Sequence, residues 1–429
     1  MRTEYTSALL GERFVRVAHP SGLTVLIFPK KMSTVHTLFA VNYGSLDVTL
    51  PYGAPLPDGT AHFLEHKLFE DENGEDAFAA FSAYGADVNA YTSFGRTAYL
   101  FSTTAHFSEC LSELLHFVTH PHFTEASVAR ERGIIAQEIK MYKDQPWERV
   151  YQNLLGALYR SHPVRRNICG TLSTIKKITP DVLDTAYAAY YRLSNMALVV
   201  CGDVEEREVM AAVDAAFADV TPTPAPPKRC EVREESGVYR ARVSAKMQVA
   251  KPIFCIGIKD RTSVAKGADV RHELAVSLLC EILFSQSGSF FEELLDAELV
   301  GALSWEYSTV EGARFVCLSG ESDDPAAVLS RLHDFLEKTK ARGIDDSDFE
   351  RCRRARYAGK ILSYDSTEEI AGALLDYVAF DGEALFEIPD MLMKITKQEL
   401  EALLDGFCQK ENFTLSTVEP LETEKGCCL

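Results

Sequence analysis

A proline-rich stretch near the middle of the chain, "DVTPTPAPPKRC" at 219–230, limits the available folds more than any other feature. Proline fixes φ and removes a backbone donor, so such a run neither continues a helix nor sits inside a sheet. It reads as an extended linker. Domains are therefore expected at 1–220 and 230–429, joined by a linker at 221–229. At 429 residues the chain is too long for one ordinary domain, and each half can bury its own core.

The two halves follow one plan. In the first, "GLTVLIFPK" and "TVHTLFAVNYGSLD" read as strands. "GTAHFLEHKLF" and "DAFAAFSAYGA" read as helices, and "DVNAYTSFGRTAYLFST" is rich in strand formers. "FSECLSELLHFVTH" has helical periodicity. "TEASVARERGIIAQEIKMYKD" is a longer helix opened by Thr124 and Glu125, and "NMALVVCGDV" is a late buried strand. The second half offers "KPIFCIGIKD", "ARFVCLSGES" and "NFTLSTVEP" as strands. "RHELAVSLLCEILF", "PAAVLSRLHDFLEKTKARG" and "DDSDFERCRRARYAGKILSYD" are its helices. Strands alternating with long helices, twice over, predict an α+β protein of two tandem, similar α/β domains.

Composition narrows the function. A net charge of −19 argues against nucleic acid or an anionic membrane surface as the main partner. "MRTEYTSALLGERFVRV" mixes charges throughout and does not read as a signal peptide, and no apolar run reaches the roughly 18 residues of a membrane span. The 11 cysteines are scattered without a C-x-x-C pair, as expected of reduced thiols in a cytoplasm. The terminal "GCCL" is not a prenylation box, because Gly426 stands where the modified cysteine would be.

The chemistry is concentrated in "HFLEH", residues 62–66. On a helix, positions i, i+3 and i+4 share a face, so His62 and His66 can grip one ion while Glu65 reaches a water on it. Zinc is the natural guest for two imidazoles. A catalytic zinc needs a third protein ligand and one open position. The helix at 124–144 carries Glu131 and Glu138, two turns apart, beside Ile134, Ile135 and Ile139. A carboxylate among packed isoleucines needs a cation. Glu138 is chosen as the third ligand and Glu131 as the group that orients a ligand or tunes the site's charge. Against this stands chance: H-x-x-E-H arises by composition in on the order of one such chain in a hundred. With zinc present, Glu65 would take a water's proton and deliver it to a leaving amine, which is amide hydrolysis.

At these residues the chain resembles the pitrilysin/insulinase family of zinc peptidases, the inverzincins, whose signature is H-x-x-E-H. "VNYGSLD", "VNAYTSFGRTAYLF", "ERGIIAQE" and "SNMALVVCGDV" resemble further family segments in the same order, with Asp47 where a glutamate is more usual. The resemblance implies His62, His66 and Glu138 as zinc ligands, Glu65 as catalytic base and Glu131 as support. It implies that Asn89, Ala90 and Tyr91 lie on an edge strand to which an extended substrate peptide adds as a further strand. The length is similar to that of half-size, processing-peptidase-like members, which pair into a clamshell around an enclosed chamber.

One departure matters. The family also uses an Arg and, two helical turns on, a Tyr, supplied by a half without metal. In "FFEELLDAELVGALSW" (290–305), Leu295 and Ala302 occupy those positions, and neither donates a hydrogen bond to an oxyanion. The expectation is a zinc metalloendopeptidase subunit whose partner is a related half-size chain carrying the Arg and Tyr. The alternatives are a catalytically silent scaffold and a peptide-binding subunit with a structural zinc. Elsewhere, "RHELAV" lacks a second histidine at Val276 and reads as a helix start. "RCRRARY" (351–357) reads as a solvated basic face or a subunit contact.

Overall fold

A computed structural model describes residues 1–226, 229, 232–264, 269–380 and 385–421. The terminal "GCCL" and linker residues 227 and 228 lie outside the described residues. The first half of the sequence contributes strands β1 (Arg2–Ser7), β2 (Glu12–Ala18), β3 (Thr24–Pro29), β4 (Val35–Val41), β5 (Asp87–Thr92), β6 (Thr97–Thr103) and β7 (Met196–Gly202). Its helices are α1 (Thr60–Leu68), α2 (Ala77–Ala83), α3 (Phe107–Thr119), α4 (Glu125–Lys143), α5 (Pro146–Leu158), α6 (Pro180–Tyr190) and α7 (Glu206–Phe217). The second half contributes β8 (Arg242–Met247), β9 (Ile253–Lys259), β10 (Leu303–Val310), β11 (Ala313–Glu321) and β12 (Phe413–Pro420). Its helices are α8 (Asp269–Phe284), α9 (Ser289–Asp296), α10 (Pro325–Arg342), α11 (Asp346–Leu362), α12 (Thr367–Tyr377), α13 (Ile388–Met393) and α14 (Lys397–Phe407).

The strands form two sheets, ordered β1-β2-β3-β7-β4-β6-β5 and β10-β11-β9-β12-β8. Read from β3, the first runs β3-β7-β4-β6-β5; reversed, the second runs β8-β12-β9-β11-β10. In each, the first strand of the repeat pairs parallel with the last, β3 with β7 and β8 with β12. All other pairings are antiparallel. The duplication inferred from pattern is thus a duplication of topology. Strands β4, β7 and β9 are buried along their whole length, which is why they read as continuous apolar runs.

The chain forms two compact units. One comprises Met1–Ile139, Asn167–Cys230 and Gly359–Pro389; the other comprises Lys140–Arg166, Glu231–Ala358 and Asp390–Leu429. The division drawn from the linker, 1–220 against 230–429, differs from this in two segments. Helix α5, from the first half, packs on β12, β9 and β8 of the second unit. It buries Val150, Leu154, Leu155 and Leu158, and a Cβ on Gly257 of β9 would strike Leu154 and Leu158. Helix α12, from the second half, lies on β7, β4 and β3 of the first unit and buries Ile370, Ala371, Leu374 and Leu375. An amphipathic helix shows that it needs an apolar cover but not which sheet supplies it.

In the second unit, the stretch Asp269–Asp296, which holds α8 and α9, is long and apolar enough to pass for a membrane span by composition, but it is mostly buried, as core helices are. His272, near the start of α8, hydrogen-bonds Asp260 at 2.7 Å inside the unit. On α11, Arg351 and Arg353 pair with Asp348 and Glu350 one turn earlier, and Arg354 is solvated.

Candidate metal centre

Helix α1 begins at Gly59, whose φ of 94° places the chain in the left-handed region that favours glycine. A Cβ there would lie 2.6 Å from the carbonyl oxygen of Cys169, so the glycine also permits close backbone approach. One turn into the helix, His62 is only 7 % exposed, and Glu65 is buried beside it. The His62 and His66 rings lie 4.6 Å apart.

Helix α4 brings the carboxylates. Glu138 Oε1 is 3.5 Å from His62 Nε2, and Glu138 Oε2 is 3.5 Å from His66 Nε2. Glu131 Oε1 accepts from His66 Nδ1 at 2.9 Å, which leaves Nε2 as the His66 nitrogen turned toward Glu138. Ile135 and Ile139 are buried as expected, but Ile134 is 52 % exposed. The expectation that all three isoleucines pack is corrected. Seven residues along α4 return Glu131 and Glu138 to one face, and residue 134 turns off the side that Ile135 and Ile139 bury.

Burial pushes the His66 imidazolium down, but the hydrogen bond to Glu131 and the charges of Glu65, Glu131 and Glu138 outweigh it. His66 is held above its ordinary pKa as a result. So much negative charge in a half-buried pocket favours a cation. His62 Nδ1 is buried without a hydrogen-bond partner, so the polar contacts of this ring lie on the Nε2 side. Two imidazole nitrogens converging on one carboxylate are the donor types zinc takes, and the residues present fit that ion.

Two further residues belong to this arrangement and were not singled out from sequence. Thr92, the last residue of β5, donates its hydroxyl to Glu65 Oε2 at 2.6 Å. Cys169 Sγ lies 3.7 Å from His62 Nε2. Among the described residues, the potential donors of His62, Glu138 and Cys169 all lie within 4.8 Å of one another. A threonine in a strand and a cysteine outside any C-x-x-C spacing give no local signal; both contacts come from distant parts of the chain.

Asn89, Ala90 and Tyr91 lie on β5, the edge strand of the first sheet, which among the described residues pairs on one side only, with β6. Asn89 and Tyr91 are exposed. In the second unit, Leu295 on α9 is 48 % exposed. Helix α9 ends at Asp296, and Ala302 stands just ahead of β10, so the two positions do not share a helix as expected. The turn at Glu298, with φ of 55°, intervenes.

Comparison with known proteins points one way. The model of the family described as Insulinase (Peptidase family M16) matches residues 41–172, and that described as Peptidase M16 inactive domain matches 177–356. The chain is 34% identical over 409 residues to a Bacillus subtilis protein named "uncharacterized zinc protease YmfH", covering 93% of this chain and 95% of that one. A crystal structure of an M16-like peptidase from Alicyclobacillus acidocaldarius superposes with a TM-score of 0.92 at 31% identity, over 97% of this chain and 100% of that chain. A Pseudomonas fluorescens structure described as a peptidase M16 inactive domain shares the fold, with a TM-score of 0.79 at 16% identity, over 96% and 99% of the two chains.

Proposed function

The chain belongs to the insulinase family, peptidase family M16, and we propose that it is a zinc-dependent metalloendopeptidase subunit that hydrolyses extended peptides. The observation that carries this reading is the meeting of His62 and His66 at Glu138, with Glu131 behind His66 and Glu65 fixed by Thr92. His62, His66 and Glu138 would hold the zinc, which when bound polarises a substrate carbonyl and acidifies a water.

The remaining work falls to the chain's own residues. Glu65, held through one oxygen by Thr92, keeps the other to take a proton from water and pass it to the leaving amine. Glu131 fixes the His66 ring through Nδ1. The unpaired side of β5 accepts a peptide as an added strand, and main-chain hydrogen bonding there gives affinity without demanding one sequence. Thr92 ends that strand, so the seat for the peptide and the base are joined by one hydrogen bond.

Leu295 and Ala302 lack hydrogen-bond donors, so the proposal includes a partner: a related half-size chain that supplies an Arg and a Tyr to the tetrahedral intermediate. The same two residues favour a second reading, a subunit that binds peptide without cleaving it. Glu65→Gln separates the readings. With the co-purifying partner present, hydrolysis by the wild type should fall about 10²- to 10⁴-fold in the variant while bound zinc is unchanged. Wild-type protein that holds zinc but cleaves no peptide even with that partner would favour the second reading.

A further inference from the structure

We propose that Cys169 is a fourth donor to the metal, its thiolate closing the position that His62, His66 and Glu138 leave open when no substrate is bound. This rests on the zinc reading above. Around a tetrahedral zinc, the bond lengths to nitrogen, oxygen and sulfur place N···O pairs about 3.3 Å apart and N···S pairs about 3.6 Å apart. Here His62 Nε2 is 3.5 Å from Glu138 and 3.7 Å from the Cys169 sulfur. Those are close to the separations of ligands on one ion, and these three donors form a single group within 4.8 Å; His66 stands outside that group and joins through the other Glu138 oxygen, 3.5 Å from its Nε2.

The thiol is also held in place. Asn167 Oδ1 accepts from the Cys169 backbone N–H at 2.9 Å, closing a turn completed by Gly170 N–H on the Asn167 carbonyl. Gly170 has a φ of +73°, and a Cβ on it would strike the Asp58 carbonyl. Gly59 meets the Cys169 carbonyl from the other side. Two glycines, each with no room for a side chain, thus press the 167–170 turn against the start of α1, one turn from His62. Cys201 offers a contrast. Cys201 sits in a wholly buried strand, where burial pushes its thiol up to about 12, as expected of a packing residue. Cys169 is buried against an imidazole and a carboxylate instead.

On binding, the S–H bond breaks heterolytically, the proton goes to solvent and the sulfur lone pair forms the bond to the metal. The sulfur then holds the position a water must take, and Glu65 has no water to deprotonate until the thiolate leaves. The substrate-free chain is a stoppered site.

Cobalt(II) alone, added to the metal-free full-length chain, tests this. The wild type should show visible ligand-field bands of a low-symmetry site together with a near-ultraviolet thiolate-to-cobalt band. Cys169→Ser should lose the near-ultraviolet band and keep the visible ones. Visible bands without a near-ultraviolet band in the wild type, or one that survives in Cys169→Ser, would overturn the role of Cys169 and leave the metal reading intact. If no cobalt binds, both fall. Should Cys169→Ser not fold, alkylation of the wild type decides: peptide mapping should find Cys169 at least tenfold slower to react with iodoacetamide when metal is loaded, and equal rates overturn the proposal.

Discussion

Thr92→Val removes the hydroxyl that holds Glu65 and little else. Valine matches threonine in shape and strand preference, so β5 and its pairing with β6 should persist. The lost interaction is a 2.6 Å hydrogen bond onto a buried carboxylate. Hydrogen bonds to charged groups contribute about 1.5–3 kcal/mol. If that energy serves to keep Glu65 aligned for proton transfer, at about 1.4 kcal/mol per factor of ten the rate should fall about 10- to 150-fold. The assay is kcat on an internally quenched peptide, with partner present and zinc content measured in parallel. Thr92→Ser keeps the hydroxyl and should stay within a few-fold of the wild type. Thr97 Oγ1 lies 3.3 Å from Thr92 Oγ1 and itself donates to the Tyr43 carbonyl, so it is already committed and a poor substitute. A valine variant with unchanged kcat and unchanged zinc would refute the idea that β5 positions the base.

Other consequences can be measured independently. Glu131→Ala frees the His66 ring and should weaken zinc retention about 10- to 100-fold in chelator competition, with the fold preserved by circular dichroism. Arg229→Met strips the bidentate partner from Asp47, a carboxylate only 6 % exposed, and should cost about 3–5 kcal/mol in denaturant unfolding of the first unit. In the second unit, burial raises the Asp260 carboxyl, but hydrogen bonds from His272, Tyr307 and Thr262 more than offset it and hold the group well below the usual carboxylate range. A depressed folded pKa means stability that is fully present above the unfolded value, about 3.9, and lost as pH falls below it. Thermal unfolding followed from pH 5 downward should therefore show a steeper loss in the wild type than in Asp260→Asn, which starts lower. Native mass of protein purified from its own cells should reveal a second chain of similar size; a fully active single-species assembly would exclude the proposed partner.

What could be read from sequence and what could not follows the range of each interaction. His62, Glu65 and His66 share a face because of helical periodicity within one turn, and Glu131 and Glu138 share one over two turns. Those relations are local, and patterns expose them. That the two helices meet is not local. The His66–Glu131 contact joins residues 65 apart in the chain, which no spacing records. Ile134 shows the limit even within a helix, since an apolar residue beside two buried ones is itself half exposed.

Cys169 and Thr92 mark where pattern stops altogether. Cys169 is 107 residues from His62, and Thr92 is 27 from Glu65. What brings Cys169 in is a contact between two backbones, each made possible by a missing side chain. A glycine in "PDGTAH" or "NICGT" looks like any turn residue until its neighbour across space is known. The exchanged helices follow the same logic at larger scale. Helix α5 fits its sheet because Gly257 leaves room for Leu154 and Leu158. The second sheet keeps the strand order of the first, while α8, in the place of α1, carries "RHELAV" and no second histidine. One topology has therefore been kept for packing in both units while, among the described residues, a group of converging potential metal donors stands in the first, so the fold by itself is no guide to where such donors meet.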